Sequence, residues 1–159
     1  GGAGLSVTGV EYRLTSKERE DLYNRSINPI ASFPSEGIVI YGQKTMQVSP
    51  VSALSRINVR RLMIYLKKGI SRIASTVLFE QNVQATWTDF KTRAESFLGD
   101  VRVRLGLEDY RVILDETTTT ADLVDRNIMY AKIYVKPTRS IEFIALDFII
   151  TRAGASFED

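Results

Sequence analysis

Between Ile57 and Val77 the apolar residues Val59, Leu62, Leu66, Ile70, Ile73 and Val77 recur at steps of three and four, which places them on one face of a helix. No other feature of the sequence constrains the fold as tightly. A helix of that length has to lay its apolar stripe against other elements, so the chain must build a core to receive it. A second pattern, from Thr86 to Leu105, has Trp87, Phe90, Ala94, Phe97, Leu98 and Val101 at the same spacing, with Gly106 as the C′ residue. Joined by "LFEQNVQ", the two are expected to form an antiparallel pair.

Around this pair the sequence reads as strands and short helices. "LSVTGVEYRL" suits a short strand, and "TSKEREDLYN" a short helix with Thr15 or Ser16 as its N-cap. "NPIASFPSEGIVIYGQKT" is expected to be ordered loop around a single buried strand, Ile38 to Tyr41. "YRVILDE" reads as a buried strand, "TTADLVDRN" as a short helix capped by Thr119 or Thr120, and "MYAKIYVKP" as an alternating strand ended by Pro137. "SIEFIALDFIITR" would add a last strand, with Ile141, Phe143, Ala145, Asp147 and Ile149 on one face and Glu142, Ile144, Leu146, Phe148 and Ile150 on the other. The expected class is α+β, a mixed sheet with the two long helices packed on one face.

Composition narrows the chemistry. The chain has 159 residues, enough to bury roughly two-thirds of its unfolded surface. Without Cys or His it has no disulfide, no Cys/His zinc site, no thiol nucleophile and no His-based triad. Its apolar runs fall far short of a membrane span, and "GGAGLSVTG" lacks the regions of a signal peptide. A soluble, cytoplasmically made protein is expected. Neither a cofactor nor a metal is expected.

The charge is small overall, +2, but unevenly placed. Residues 55–72 hold Arg56, Arg60, Arg61, Lys67, Lys68 and Arg72, while the nearest acids are Glu36 and Glu80. On a helix these six lie opposite the apolar stripe, with Ile57 and Ile64 among them. A solvated outer face is the plain reading, but without an acid at i,i+4 it reads more as an interface. Nucleic acid is disfavoured, since Tyr65 is the one aromatic residue among the cations and no helix-turn-helix, RRM or OB pattern is present. A membrane surface is disfavoured because the apolar stripe is needed for the core. Acidic pairs stand at Glu108 with Asp109, Asp115 with Glu116, and Asp122 with Asp125, but without a Gly-rich cradle or a base the "DET" loop reads as turn and cap rather than catalytic site.

The blocks "INPIASFPSEGIVIYGQKT", "LSRINVRRLMIYLKKGI", "LFEQN" followed by Trp87, "DET" with "DRN", "KPTRSIEFI" and "TRAGASFE" come in this order. In this they resemble the C-terminal domain of the contractile tail sheath proteins of T4-like bacteriophages. The likeness runs from about Ile27 to Phe157. Contractile pyocins, other injection particles and, more distantly, type VI secretion sheaths share the architecture, so the blocks point to the superfamily more than to one machine.

The resemblance implies a mechanical protein rather than an enzyme. Residues 1–26 would be a linker and strand leading in from an absent N-terminal part, 27–152 the sheath C-terminal domain, and 153–159 an arm exchanged with a neighbouring subunit. Subunits would form hexameric rings in a six-start helical lattice around an inner tail tube, with baseplate and tail terminator proteins as further partners and no direct contact to nucleic acid or membrane. The location implied is the tail sheath of a virion assembled in the host cytoplasm. The sheet would be completed by neighbours' arms, with Thr151, Arg152, Ala155 and Phe157 in the exchanged segment. Contact with the tube or a neighbouring subunit would fall to the basic helix or to the short helix with Asp122, Asp125 and Arg126; the two candidates stand side by side.

Overall fold

The computed structural model describes residues 4–140, 142 and 145. Its first element is helix α1, Ser16–Asn24, capped by Thr15. Thr15 Oγ1 accepts from the Glu18 amide at 3.3 Å and Glu18 Oε2 accepts from the Thr15 amide at 2.8 Å, a reciprocal capping box. The strand expected over Leu5 to Leu14 does not form. Among the described residues its one backbone link to a strand is the Leu5 amide on the Ile38 carbonyl at 2.6 Å, and Leu5 itself is exposed, so no apolar face holds a ladder there.

A hairpin follows: β1, Ile30–Phe33, pairs antiparallel with β2, Gly37–Ile40. β2 coincides with the strand read over Ile38 to Tyr41, but only Val39 in it is buried, with Ile40 and Tyr41 exposed, so the strand is an open one rather than a buried one; β1 occupies ground expected to be loop. Its four residues lie between Pro29 and Pro34, too short a run for alternation to be visible, and the turn closes on Gly37 at φ 74°.

The two long helices form where the periodicity places them, α2 over Ile57–Thr76 and α3 over Gln84–Val103. Arg93 reaches Thr76, Phe97 lies against Gly69, and Leu62 comes up to Gly106, so the helices run antiparallel. α3 ends in a Schellman motif, with the Gly106 amide on the Val101 carbonyl at 3.0 Å and the Leu105 amide on the Arg102 carbonyl at 2.9 Å. The left-handed residue is Leu105, at φ 60°, and not Gly106. Gly106 is needed for space instead, since a Cβ there would stand 2.9 Å from Val101 Cγ1.

β3, Leu107–Ile113, then pairs antiparallel with β4, Lys132–Pro137, with a bulge between Leu107 and Asp109. Helix α4, Ala121–Asp125, lies between them with Thr120 as its N-cap. In β4, Ile133, Val135 and Pro137 turn inward while Lys132, Tyr134 and Lys136 face out. α3 lies against β3 and α2 against α3, and one core unites Leu66, Trp87, Phe90, Ala94, Leu98, Val101, Leu107, Val112 and Leu114. Burying a side chain such as Leu98 contributes about 1.5–3 kcal/mol. The class is α+β as expected. The described strands form two antiparallel pairs rather than one mixed sheet, and the strand read over residues 140–152 lies outside the described residues except for Ser140, Glu142 and Ala145.

Candidate interaction surface

The outer face of α2 is fixed by its inner one. With Val59 and Leu66 buried and Leu62, Ile70 and Ile73 packed against the core, the 3.6-residue period leaves Arg60, Arg61, Lys67, Lys68 and Arg72 exposed. Among the described residues none of these five cations enters an ion pair. Ile64 and Tyr65 stand among them 56% and 48% exposed. The face is cationic with apolar patches, suited to a partner that offers carboxylates and some apolar surface.

Arg56 is set apart from the other five. It is the N-cap residue of α2, half-buried, and its guanidinium grips the Glu142 carboxylate side-on, Nε on Oε1 and Nη2 on Oε2 at 2.9 Å. Tyr23 Oη donates to Glu142 Oε2 at 2.8 Å and Gln43 Nε2 to Oε1 at 3.4 Å. Burial pulls the Glu142 carboxyl upward, but the hydrogen bonds from Arg56 and Tyr23 and the arginine's charge outweigh it, so the group sits below the usual carboxylate range. Burial, then Glu142, raises the Tyr23 phenol. The structure thus brings Arg56 to an acid of its own chain rather than leaving it on the open face. The sequence carried a signal for this: Glu142 stands in the apolar run "IEFIAL", where a carboxylate needs a cation.

On α4, Asp122 and Arg126 pair with each other at 3.1 Å across one helical turn, and Asp125 is exposed beside them. Among the described residues neither carboxylate pairs with a cation of α2. Thr151, Arg152, Ala155 and Phe157 lie outside the described residues.

Asp115 shapes a turn. Its Oδ1 accepts from the Thr117 hydroxyl and from the Thr117 and Thr118 amides, the amides at 2.9 and 3.3 Å, while its carbonyl takes the Thr118 and Thr119 amides. Chiefly the Thr117 hydroxyl holds the Asp115 carboxyl low. Glu116 is exposed next to it, and no group of His, Cys, Asp or Glu among the described residues could hold a metal ion.

Residues 49–151 match the model of the phage tail sheath C-terminal domain. The chain is 42% identical over 146 residues to the tail sheath protein of Vibrio phage KVP40, and 37% identical over 155 residues to that of Enterobacteria phage T4, covering 92% and 98% of this chain. It spans only 22% and 23% of the length of those two relatives. Among solved structures, a chain of the anti-feeding prophage baseplate superposes with a TM-score of 0.85 at 26% identity, over 95% of this chain and 44% of that one. The contracted sheath complex of an extracellular contractile injection system, PVC, gives 0.79 at 27% identity, over 87% and 41%. With the family match over most of its length, this chain belongs to the phage tail sheath C-terminal domain family.

Proposed function

We propose that the chain is the tube-proximal, C-terminal domain of a contractile tail-sheath subunit, a structural part that contracts with its neighbours and drives an inner tube through a cell envelope. The observation that carries this reading is the likeness to tail sheath proteins along nearly the whole chain, at up to 42% identity. The domain proper would be residues 27–152, preceded by a lead-in segment 1–26 and followed by an arm, 153–159, that joins a neighbour's sheet edge through backbone hydrogen bonds. The partners would be further copies in six-start helical rows, the tube, the baseplate and the terminator, within a virion assembled in the host cytoplasm. The role is mechanical, and no bond chemistry is part of it.

The exposed cations of α2 suit a contact that must release. Exposed ion pairs are worth about 0–1 kcal/mol each, so five cations per subunit, repeated along a lattice, hold an extended sheath while each single contact can break on contraction. The test is assembly of the full-length subunit with Arg60→Glu and Arg61→Glu. Loss of tube or lattice attachment in a folded double variant supports the reading, and normal assembly and contraction refutes the role of this face.

A further inference from the structure

The stretch that follows β4 is fastened to the domain at every second residue. The Thr138 amide donates to the Gly106 carbonyl at 3.2 Å, Asn58 Nδ2 donates to Ser140 Oγ at 2.9 Å, and Arg56 closes on both oxygens of Glu142. Two of the three partners, Arg56 and Asn58, belong to the cap and first turn of α2. The third fastening is the strongest in kind, a bidentate charge-assisted pair, partly screened because the Arg56 and Glu142 side chains are 33% and 16% exposed.

That carboxylate also gathers segments far apart in sequence. Tyr23 comes from α1, Gln43 from the loop after β2, and Arg56 from the start of α2. These are bound to one another as well. The Ile57 amide donates to the Gln43 carbonyl at 2.8 Å, and Asn28 brackets Lys44 through its Oδ1 and Nδ2, both at 2.8 Å. The Lys44 ammonium lies 3.6 Å from the centre of the Tyr23 ring. A displacement of Glu142 is therefore resisted by α1, the 41–45 loop and α2 together.

We propose that Glu142 is an anchor for the chain beyond β4, passing a pull from its C-terminal side to α1 and the first turn of α2 instead of to the β3–β4 pair. Without it, tension from beyond residue 142 would fall on the single hydrogen bonds at Ser140 and Thr138 and then on the end of β4 at Pro137. With it, the load meets an arginine fork before it reaches the strand. This inference rests on the reading of residues 153–159 as an exchanged arm.

The experiment uses the full-length subunit as wild type, as Glu142→Gln, as Tyr23→Phe, which removes one donor and leaves the fork, as the charge exchange Arg56→Glu with Glu142→Arg, and with residues 153–159 deleted. Hydrogen exchange is followed in peptides covering 138–142, 41–45 and 107–113, and broken sheaths are counted by electron microscopy after a fixed shear pulse. The expected result is loss of protection at 138–142 and 41–45 in Glu142→Gln, a smaller loss in Tyr23→Phe, unchanged protection at 107–113, more broken sheaths, and partial recovery in the charge exchange. Wild-type protection at 138–142 in Glu142→Gln overturns the anchor, as does wild-type shear resistance despite lost protection. If Glu142→Gln does not fold, unchanged protection and shear resistance in Tyr23→Phe overturn it. A deletion variant that assembles and resists shear like wild type refutes the arm reading, and with it the load, even where protection at 138–142 follows Glu142.

Discussion

The ring of Phe97 lies so close over Gly69 that a Cβ on the glycine would stand 2.2 Å from Phe97 Cζ. Gly69 sits in the middle of α2, where glycine costs about 1 kcal/mol relative to alanine, so its presence has to be explained by packing. The absent side chain lets α3 approach and allows Phe97 to lean on Tyr65, with ring centres 5.6 Å apart. Gly69→Ala should lower stability by about 1–3 kcal/mol through overpacking. In a Phe97→Ala background the same substitution should raise stability by about 1 kcal/mol, since only helix propensity then acts. Thermal or urea unfolding of the four proteins of this cycle checks the change of sign.

Where an element has its own period, the sequence announced it. α2, α3 and β4 follow from residues that repeat at 3.6 or 2, and Thr15 with Glu18 marks the start of α1. β1 was hidden because four residues between two prolines carry no period. The identity of the left-handed residue after α3 was hidden for another reason. Gly106 looked like the residue that needs a positive φ, but its small size is used against Val101, and Leu105 bears the left-handed backbone. At the candidate surface, the five open cations of α2 were legible from the stripe opposite them. The position of Arg56 was not, because its partner lies 86 residues away, and only the chemical oddity of a carboxylate in an apolar run hinted at a pairing.

Acid should weaken the link at Glu142 in a defined direction. Its folded-state carboxyl lies below the ordinary value of 4.5, so the stability it contributes is fully present above that value and is lost as pH falls through the lower folded one. At neutral pH Glu142→Gln should cost about 1–2 kcal/mol, from the lost charge-assisted bonds of a partly solvated pair. The difference in unfolding midpoint between wild type and variant should be constant near neutrality and should shrink below about pH 4.5. A difference that grows on acidification contradicts the assignment.

Asp115 should matter to its turn and to nothing catalytic. Asp115→Asn keeps an acceptor for the Thr117 and Thr118 amides, so its unfolding midpoint should remain near wild type, whereas Asp115→Ala should fall below both. Glu116→Gln, at an exposed side chain, should be silent. Calorimetry of the three variants ranks them, and sheath assembly should be the same for all three.

Arg60→Glu with Arg61→Glu should leave the circular dichroism spectrum and thermal midpoint nearly unchanged, because both side chains are exposed on the face away from the core. Attachment in the assembled particle should be weaker in the variant, and added salt should weaken it more in the wild type than in the variant, as expected for contacts between exposed charges. Co-sedimentation with tubes across a salt series provides the measurement.

Whether this domain serves a helical sheath is decided by electron microscopy of the full-length subunit. The expected images are tubes or rings of constant diameter with six-start helical symmetry, lost when residues 153–159 are removed while the domain's thermal midpoint remains nearly unchanged. A protein that remains monomeric and shifts a DNA fragment through its α2 face would contradict a sheath role.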